Sequence, residues 1–224
     1  MANCKADTAY TRIVQKVEAE AKLLRIWNLR GGVSAQTTAL EFESGGHRKK
    51  VVVCQYGEVN LKNNSHIAKD ELRLLNMLQI AGIHAPDPYF ADESGKFLPT
   101  PYIVIEFIEG QTLNEEVNLT NYIRQMVAVL ANIHRCNFQE DDLSFLPNQE
   151  QVVAEQIIKR PTELDDSLSE GRIRDALEQV WPLVQKNKSV LLHGDFWPGN
   201  IMWKDDQIVA VIDWEDAGFG RSTL

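Results

Sequence analysis

Between Leu191 and Glu215 the chain carries, in order, His193, Asp195, Asn200 and Asp213, with the acids and the amide at the ends of short apolar runs. The first stretch reads Leu191-Leu192-His193-Gly194-Asp195-Phe196-Trp197-Pro198-Gly199-Asn200-Ile201-Met202-Trp203, and a second follows at Ile212-Asp213-Trp214-Glu215. An apolar run delivers His193 and Asp195 into a loop rich in Gly and Pro. A turn returns the chain at Asn200, and a hairpin ends by presenting Asp213. Carboxylates and carboxamides beside a core are costly without partners. A hard cation is one such partner, and Mg²⁺ held by one or two side-chain oxygens, with substrate phosphates completing its shell, is the expected form. A single Asp in a loop is ordinarily a turn or cap residue. The ordered set, H-G-D-x-x-x-x-N followed by an apolar strand and I-D-W-E, is what points to chemistry. A metal hydrolase would need several His or carboxylate ligands converging on its ion, and of five histidines only His193 lies in the set.

The elements that must position these residues are legible from periodicity. Ile13, Val17, Ala21 and Leu24 recur at spacings of three and four, which predicts a helix over Thr11–Leu24. Strands are predicted at Arg25–Leu29 and Thr37–Glu43, around Gly31-Gly32, and a third at Val51-Val52-Val53, where β-branched residues favour a pleated sheet. Together they make an antiparallel three-stranded start. Ser65–Ile80 reads as a helix, Pro86-Asp87-Pro88 feeds a short strand, and Tyr102–Phe107 reads as another. Beyond Gly110 come helical stretches at Leu119–Arg135, Gln149–Lys159 and Glu170–Gln185, then strand candidates Ile201–Trp203 and Ile208–Ile212 around Lys204-Asp205-Asp206. The order of elements is that of an α+β protein. The expected division is a nucleotide-binding lobe over residues 1–108 and a helical C-terminal lobe over 109–224 carrying the catalytic and metal loops, and a cleft between lobes is a common place for a ligand.

Bulk composition excludes several classes. With 224 residues, 44% of them hydrophobic and 25% charged, the chain can bury a core of its own. A formal net charge of −9 argues against broad nucleic-acid binding, which relies on cations that neutralise phosphates. Cys4, Cys54 and Cys136 form no close-spaced pair, so neither a disulfide framework nor a zinc knuckle is expected. Lys5 and Asp7 interrupt the apolar run a signal peptide would need, and no segment approaches the ~18–20 apolar residues that cross a bilayer. A cytoplasmic protein without membrane or nucleic-acid partners is the expectation; oligomeric state is not readable.

The ordered set resembles the catalytic and metal-binding loops of the aminoglycoside phosphotransferases and related choline-kinase-like enzymes, relatives of the protein-kinase fold. That resemblance implies a two-lobed α+β kinase-like fold, with a small antiparallel-sheet N-lobe and a mostly helical C-lobe that is incomplete here. It implies ATP and Mg²⁺ as cofactors and a hydroxyl of a small polar molecule, amine-bearing compounds included, as phosphoryl acceptor. By it, Asp195 is the catalytic base, Asn200 and Asp213 hold the metal, and His193 braces the loop. Gly31, Gly32 and Ser34 fall where the family covers the nucleotide phosphates, although a Gly-Gly pair is equally an ordinary hairpin turn. Glu71 is similar to the helix glutamate that pairs with a basic residue of the third strand; by itself it is also a solvated helix position. Tyr102–Gly110 resembles the strand and hinge that receive adenine, with Glu106, Phe107 and Ile108 supplying backbone and apolar contacts.

Two departures stand out. The basic position of the third strand falls on Cys54 or Gln55, neither of them charged, while Lys49 and Lys50 lie at the strand's start. Family members also continue through several further helices, whereas Arg221-Ser222-Thr223-Leu224 is all that follows Gly220. These departures leave a second reading open, a nucleotide-binding relative impaired in turnover or serving regulation.

Overall fold

A computed structural model describes residues 2–29, 35–112, 119–139, 142–182 and 187–221. Strands β1 (Lys22–Asn28), β2 (Ala35–Ser44) and β3 (His47–Tyr56) form the expected antiparallel meander. With β4 (Pro88–Asp92) and β5 (Tyr102–Glu106) they make a five-stranded antiparallel sheet in the order β1-β2-β3-β5-β4. The α+β class and the kinase-like sheet read from sequence are therefore present.

Side chains alternate across a pleated strand, so β3 sorts its residues onto two faces. Val51 and Val53 join Leu40, Phe42, Tyr102 and Val104 in a core closed by Tyr10, Ile13 and Val14 of helix α1 (Ala2–Val17). The opposite face carries Lys50, Val52, Cys54 and Tyr56. Cross-strand register extends this second face through Trp27, Ala39, Val52 and Ile105, each directly opposite the next. Helix α3 (Ile67–Ile80) reaches it through the Glu71–Tyr56 contact and buries Leu74, Leu75 and Leu78.

Helix α1 ends at Val17, seven residues short of the predicted limit, and Leu24 lies in β1 beside a register shift between Leu23 and Arg25. Pairing of Lys22 and Leu23 with β2 overrides the helical spacing, as tertiary context commonly does. The short helix α2 (Glu58–Asn63), between β3 and α3, had no periodic signal.

The chain packs as two units. One comprises Met1–Leu119 together with Trp197–Glu215; the other comprises Thr120–Phe196 together with Asp216–Leu224. The sequence-based division at 108/109 puts 197–215 in the helical lobe, whereas the packing groups that hairpin with the sheet. The second unit contains α4 (Leu119–Arg135), α5 (Gln149–Ile158), α6 (Glu170–Val180), and strand β6 (Ser189–Leu192) paired antiparallel to β9 (Gly218–Arg221). Asn148 caps α5, its Oδ1 accepting from the backbone N–H of Glu150 and Gln151 at 3.0 and 3.3 Å. Among the described residues no helix is long and apolar enough to cross a membrane.

Candidate active site

Strands β7 (Ile201–Lys204) and β8 (Gln207–Val211) pair antiparallel, with Ile201 opposite Val211. Asp205 and Asp206 turn the hairpin with φ of 50° and 59°, the doubly left-handed turn that suits the twist of a two-stranded ribbon. At its open end the N–H of Ile212 donates to the carbonyl of Asn200 at 2.9 Å. The two predicted metal-binding positions, thirteen positions apart in sequence, thus lie at one backbone hydrogen bond. Asn200 is buried. Asp213 is exposed at φ 67°, a left-handed conformation that costs any side chain free energy and that Asp tolerates better than most. Trp214 is fully buried behind it, and its indole N–H donates to the carbonyl of Val211 at 2.9 Å.

This hairpin is fastened to the sheet unit at two points. The N–H of Val211 donates to His84 O at 2.8 Å, and Gln111 and Trp203 exchange backbone hydrogen bonds at 2.8 and 2.9 Å. Gly110 permits the second fastening, because a Cβ there would stand 2.7 Å from Trp203 O. The predicted hinge, Glu106, Phe107 and Ile108, leads directly into it. Glu106 ends β5 and donates its N–H to Asp87 O at 2.8 Å. Phe107 lies 5.9 Å from the Trp27 ring, and Lys50 sits 5.1 Å over Phe107 while pairing with Glu109 at 2.5 Å. Trp27, Ala39, Val52 and Ile105 line the same face of the sheet, giving an apolar floor beside the hinge. Gly31, Gly32 and Ser34 lie outside the described residues.

The departure on the third strand is resolved by facing. Gln55 points to the α1 side and donates to Thr100 Oγ1 at 3.0 Å, so Cys54 holds the inward position between Val52 and Tyr56. Burial pushes the Cys54 thiol well above its usual range, and Glu71, Asp213 and Glu215 push it the same way. It is therefore neither a cation nor a thiolate. Lys50 shares its face and pairs with the exposed Glu109.

Glu71 is 8% exposed, and its carboxylate accepts from Tyr56 Oη in place of a basic residue. Burial raises its pKa to about 7; the Tyr56 hydrogen bond opposes this, and Glu215 and Asp213 reinforce it. An acid whose folded pKa exceeds its unfolded value destabilises the fold as pH rises between the two. In the metal-free protein, stability should fall from about pH 4.5 to about pH 7 and then level off, by about 3 kcal/mol. Glu71→Gln should flatten that slope and raise Tm at neutral pH, as thermal unfolding across pH 4.5–8 would read; an unchanged slope would assign it to other groups.

In the second unit, β6 delivers His193 and Asp195. His193 is 2% exposed, its Nδ1 accepts from the N–H of Asp195 at 3.3 Å, and its ring stands edge-on to Phe196. Gly194 adopts φ 87°, and a Cβ there would lie 2.0 Å from Asp216 O, so no other residue fits. The Asp195 side chain is exposed. Residues that sequence reasoning missed are Tyr56, Asn60 and Glu215 as interacting partners: Asn60 Nδ2 donates to Glu215 Oε2 at 3.2 Å. The I-D-W-E motif displayed Glu215, but nothing local marked Asn60. Among the described residues no three His, Cys, Asp or Glu side chains converge to cage a metal on their own.

Solved structures share this architecture. A protein from Ralstonia eutropha assigned to the aminoglycoside phosphotransferases superposes with a TM-score of 0.70 at 20% identity, over 97% of this chain and 66% of its own. A macrolide 2′-phosphotransferase from Brachybacterium faecium gives 0.64 at 16% identity, over 96% and 73%. A spectinomycin phosphotransferase, solved with ADP and spectinomycin, gives 0.63 at 19% identity, over 93% and 69%. The chain thus spans just under two thirds of the first of these and about 70% of the others. No curated protein sequence gives a match. The model of the phosphotransferase enzyme family matches residues 26–221, and with the kinase-like sheet and the Asn200–Asp213 hairpin in place, the chain belongs to that family.

Proposed function

We propose that the protein is an ATP-dependent phosphotransferase that moves the γ-phosphoryl group to a hydroxyl of a small polar molecule, amine-bearing compounds included. The observation that carries the reading is the hairpin that sets Asn200 beside the strained Asp213 on the unit bearing the apolar sheet face and hinge. Relatives support the nucleotide and the acceptor class: the spectinomycin enzyme was solved with ADP and spectinomycin, and an aminoglycoside phosphotransferase variant with AMP-PNP and hygromycin B.

The donor set fits Mg²⁺. Asn200 and Asp213 offer oxygen ligands, which suits an ion that takes its remaining ligands from phosphates and water. Asn200 and Asp213 would hold that ion, which would supply neutralisation of the phosphate charge. Trp27, Ala39, Val52 and Ile105 would supply the floor for adenine, with the backbone of Glu106–Ile108 beside it. Asp195 accepts the proton of the acceptor hydroxyl as its oxygen bonds to phosphorus and the bond to the ADP oxygen breaks. His193 keeps the Asp195 loop in register. Catalysis of this kind rests on positioning and charge neutralisation.

The test is calorimetric titration with ATP in the presence and absence of Mg²⁺, paired with ADP release against a panel of hydroxyl-bearing amines. Metal-dependent binding and acceptor-dependent release are expected; no binding by the folded protein would overturn the reading.

Cys54 favours a second reading, a nucleotide-binding relative with impaired turnover. Cys54→Lys places an ammonium among Glu71, Asp213 and Glu215, facing the sheet's nucleotide side. A charge-assisted hydrogen bond to phosphate should tighten ATP binding by about tenfold or more. Transfer gained only in this variant would identify an impaired enzyme, and transfer by the native chain would dismiss the second reading.

A further inference from the structure

Trp197 stands in sequence between Asp195 and Asn200, and the mechanism above gives it no part. Trp203 and Trp214 in the same unit are 7% and 2% exposed, whereas Trp197 is 54% exposed. It is nonetheless held firmly. Its carbonyl accepts the N–H of Asn200 at 3.0 Å, closing the single 3-10 turn Pro198–Asn200 with proline at its first position. Its six-membered ring fills the space that a side chain at 199 would need: a Gly199 Cβ would stand 2.2 Å from Cζ2 and 2.5 Å from Cη2. Gly199 has no left-handed φ to account for it, so the ring is what requires glycine there. The turn thus makes room for a large apolar ring and still leaves much of it in water, at a cost in free energy that burial would recover.

A rigid, half-open aromatic ring makes a good recognition anchor, because it offers a wide contact area with only two χ angles to fix. Its place in the chain says what it meets. The reacting hydroxyl must reach Asp195 on one side and the phosphate of the Asn200-held ion on the other. Covalent geometry keeps the Cα of Trp197 within about 7 Å of that of Asp195, and the turn hydrogen bond ties it to Asn200. The ring therefore flanks the part of the acceptor next to the reacting hydroxyl. Its chemistry is selective: the face of an indole attracts a cation through its quadrupole, more strongly than the rings of Tyr or Phe. From Asp195 to Asp216 the chain carries six acids and one lysine, a setting that favours a cationic acceptor over an anionic one.

We propose that Trp197 is a specificity-determining residue for the acceptor, its exposed indole face holding an ammonium group borne close to the reacting hydroxyl. This rests on the phosphotransferase reading above and narrows it: among small hydroxyl-bearing molecules, the chain selects those whose amine is charged. Trp197 moves neither the phosphoryl group nor the proton, so its removal acts on acceptor binding and spares turnover of the bound complex.

The test is steady-state transfer from ATP with Mg²⁺ near neutral pH, comparing the best acceptor of the amine panel with its N-acetyl derivative, which keeps the hydroxyls and loses the charge. Trp197→Leu retains apolar bulk without a π face; it should raise KM for the amine by about 3–30-fold, with kcat within about threefold and KM for the N-acetyl derivative within about twofold. Trp197→Phe retains a ring and should raise KM for the amine by only about 2–5-fold. If Leu and Phe behave alike, or if both acceptors weaken together, Trp197 only packs the turn and the inference fails. Affinity for ADP with Mg²⁺, measured by calorimetry, should be unchanged in both variants, and its loss would assign the ring to the phosphates and overturn the proposal. Should the Leu variant not fold by circular dichroism, the Phe variant decides, since no change in KM, or an equal change for both acceptors, overturns the proposal there. A native chain that transfers to no acceptor would bring down both readings. Transfer that ignores the charge of the acceptor, in the native chain and its variants alike, would bring down this one alone.

Discussion

Asp195→Asn is expected to slow phosphoryl transfer by about 10²–10⁴-fold, with the affinity for ATP and Mg²⁺ nearly unchanged. Asparagine copies the size of the carboxylate and its acceptor oxygen but cannot take up the hydroxyl proton. The loop should survive the change, because its shape is set elsewhere: by β6 pairing with β9, by Gly194 lying against Asp216 O, and by the Asp195 N–H reaching His193. An effect near the lower end would agree with a loose transition state in which the proton leaves late. Steady-state kinetics with the best acceptor from the panel, together with a nucleotide titration, separates the two parameters. A variant as fast as the native protein would remove Asp195 from the role of base, and one that lost nucleotide affinity instead would place it with the phosphates.

The second large effect concerns Asp213, where stability and function should move in opposite directions. Its left-handed backbone at φ 67° is tolerated at a cost that glycine would not bear. Asp213→Gly should therefore raise the stability of the metal-free protein, by about 1 kcal/mol. It should also abolish the gain in nucleotide affinity that Mg²⁺ provides, by at least about tenfold. Asp213→Ala should lose the same metal dependence without the stabilisation, since alanine inherits the strain. The pair of variants is informative because a merely structural aspartate would not yield a more stable protein that binds worse. Thermal unfolding in EDTA and calorimetry with and without Mg²⁺ read the two quantities; metal dependence surviving in both variants would refute Asp213 as a ligand.

Much of this was legible before any coordinates, for identifiable reasons. The β-branched run at Val51–Val53 fell in β3, and the predicted helix Leu119–Arg135 matches α4 end to end, because both signals are local and strong. The hairpin that unites Asn200 and Asp213 was readable from two apolar runs around Lys204-Asp205-Asp206. What escaped was non-local. Strand β9 (Gly-Phe-Gly-Arg) has no periodicity of its own and becomes a strand only by pairing with β6. Tyr56 as the partner of Glu71, and Cys54 rather than Gln55 as the inward residue, depended on strand facing, which a shift of one position reverses. Asn60 lies 155 positions from Glu215, beyond the reach of any sequence window. The family resemblance supplied the roles of the site residues; geometry supplies their neighbours.

The interleaving of the two packed units bears on how the protein is made. Residues 197–215 belong to the sheet unit, and 216–221 add β9 to β6 in the other. A ribosome therefore releases the first 119 residues of the sheet unit and must synthesise about 80 more before the missing hairpin emerges. At about 5–20 residues per second that interval is on the order of ten seconds. Throughout it the sheet lacks the fastenings of Gln111 to Trp203 and of His84 to Val211, and the apolar residues Ile201, Trp203 and Val211 have not arrived to be buried. The nascent chain should accordingly depend on chaperones late in translation, and a stop codon placed before Trp197 would leave both halves of the protein unfinished.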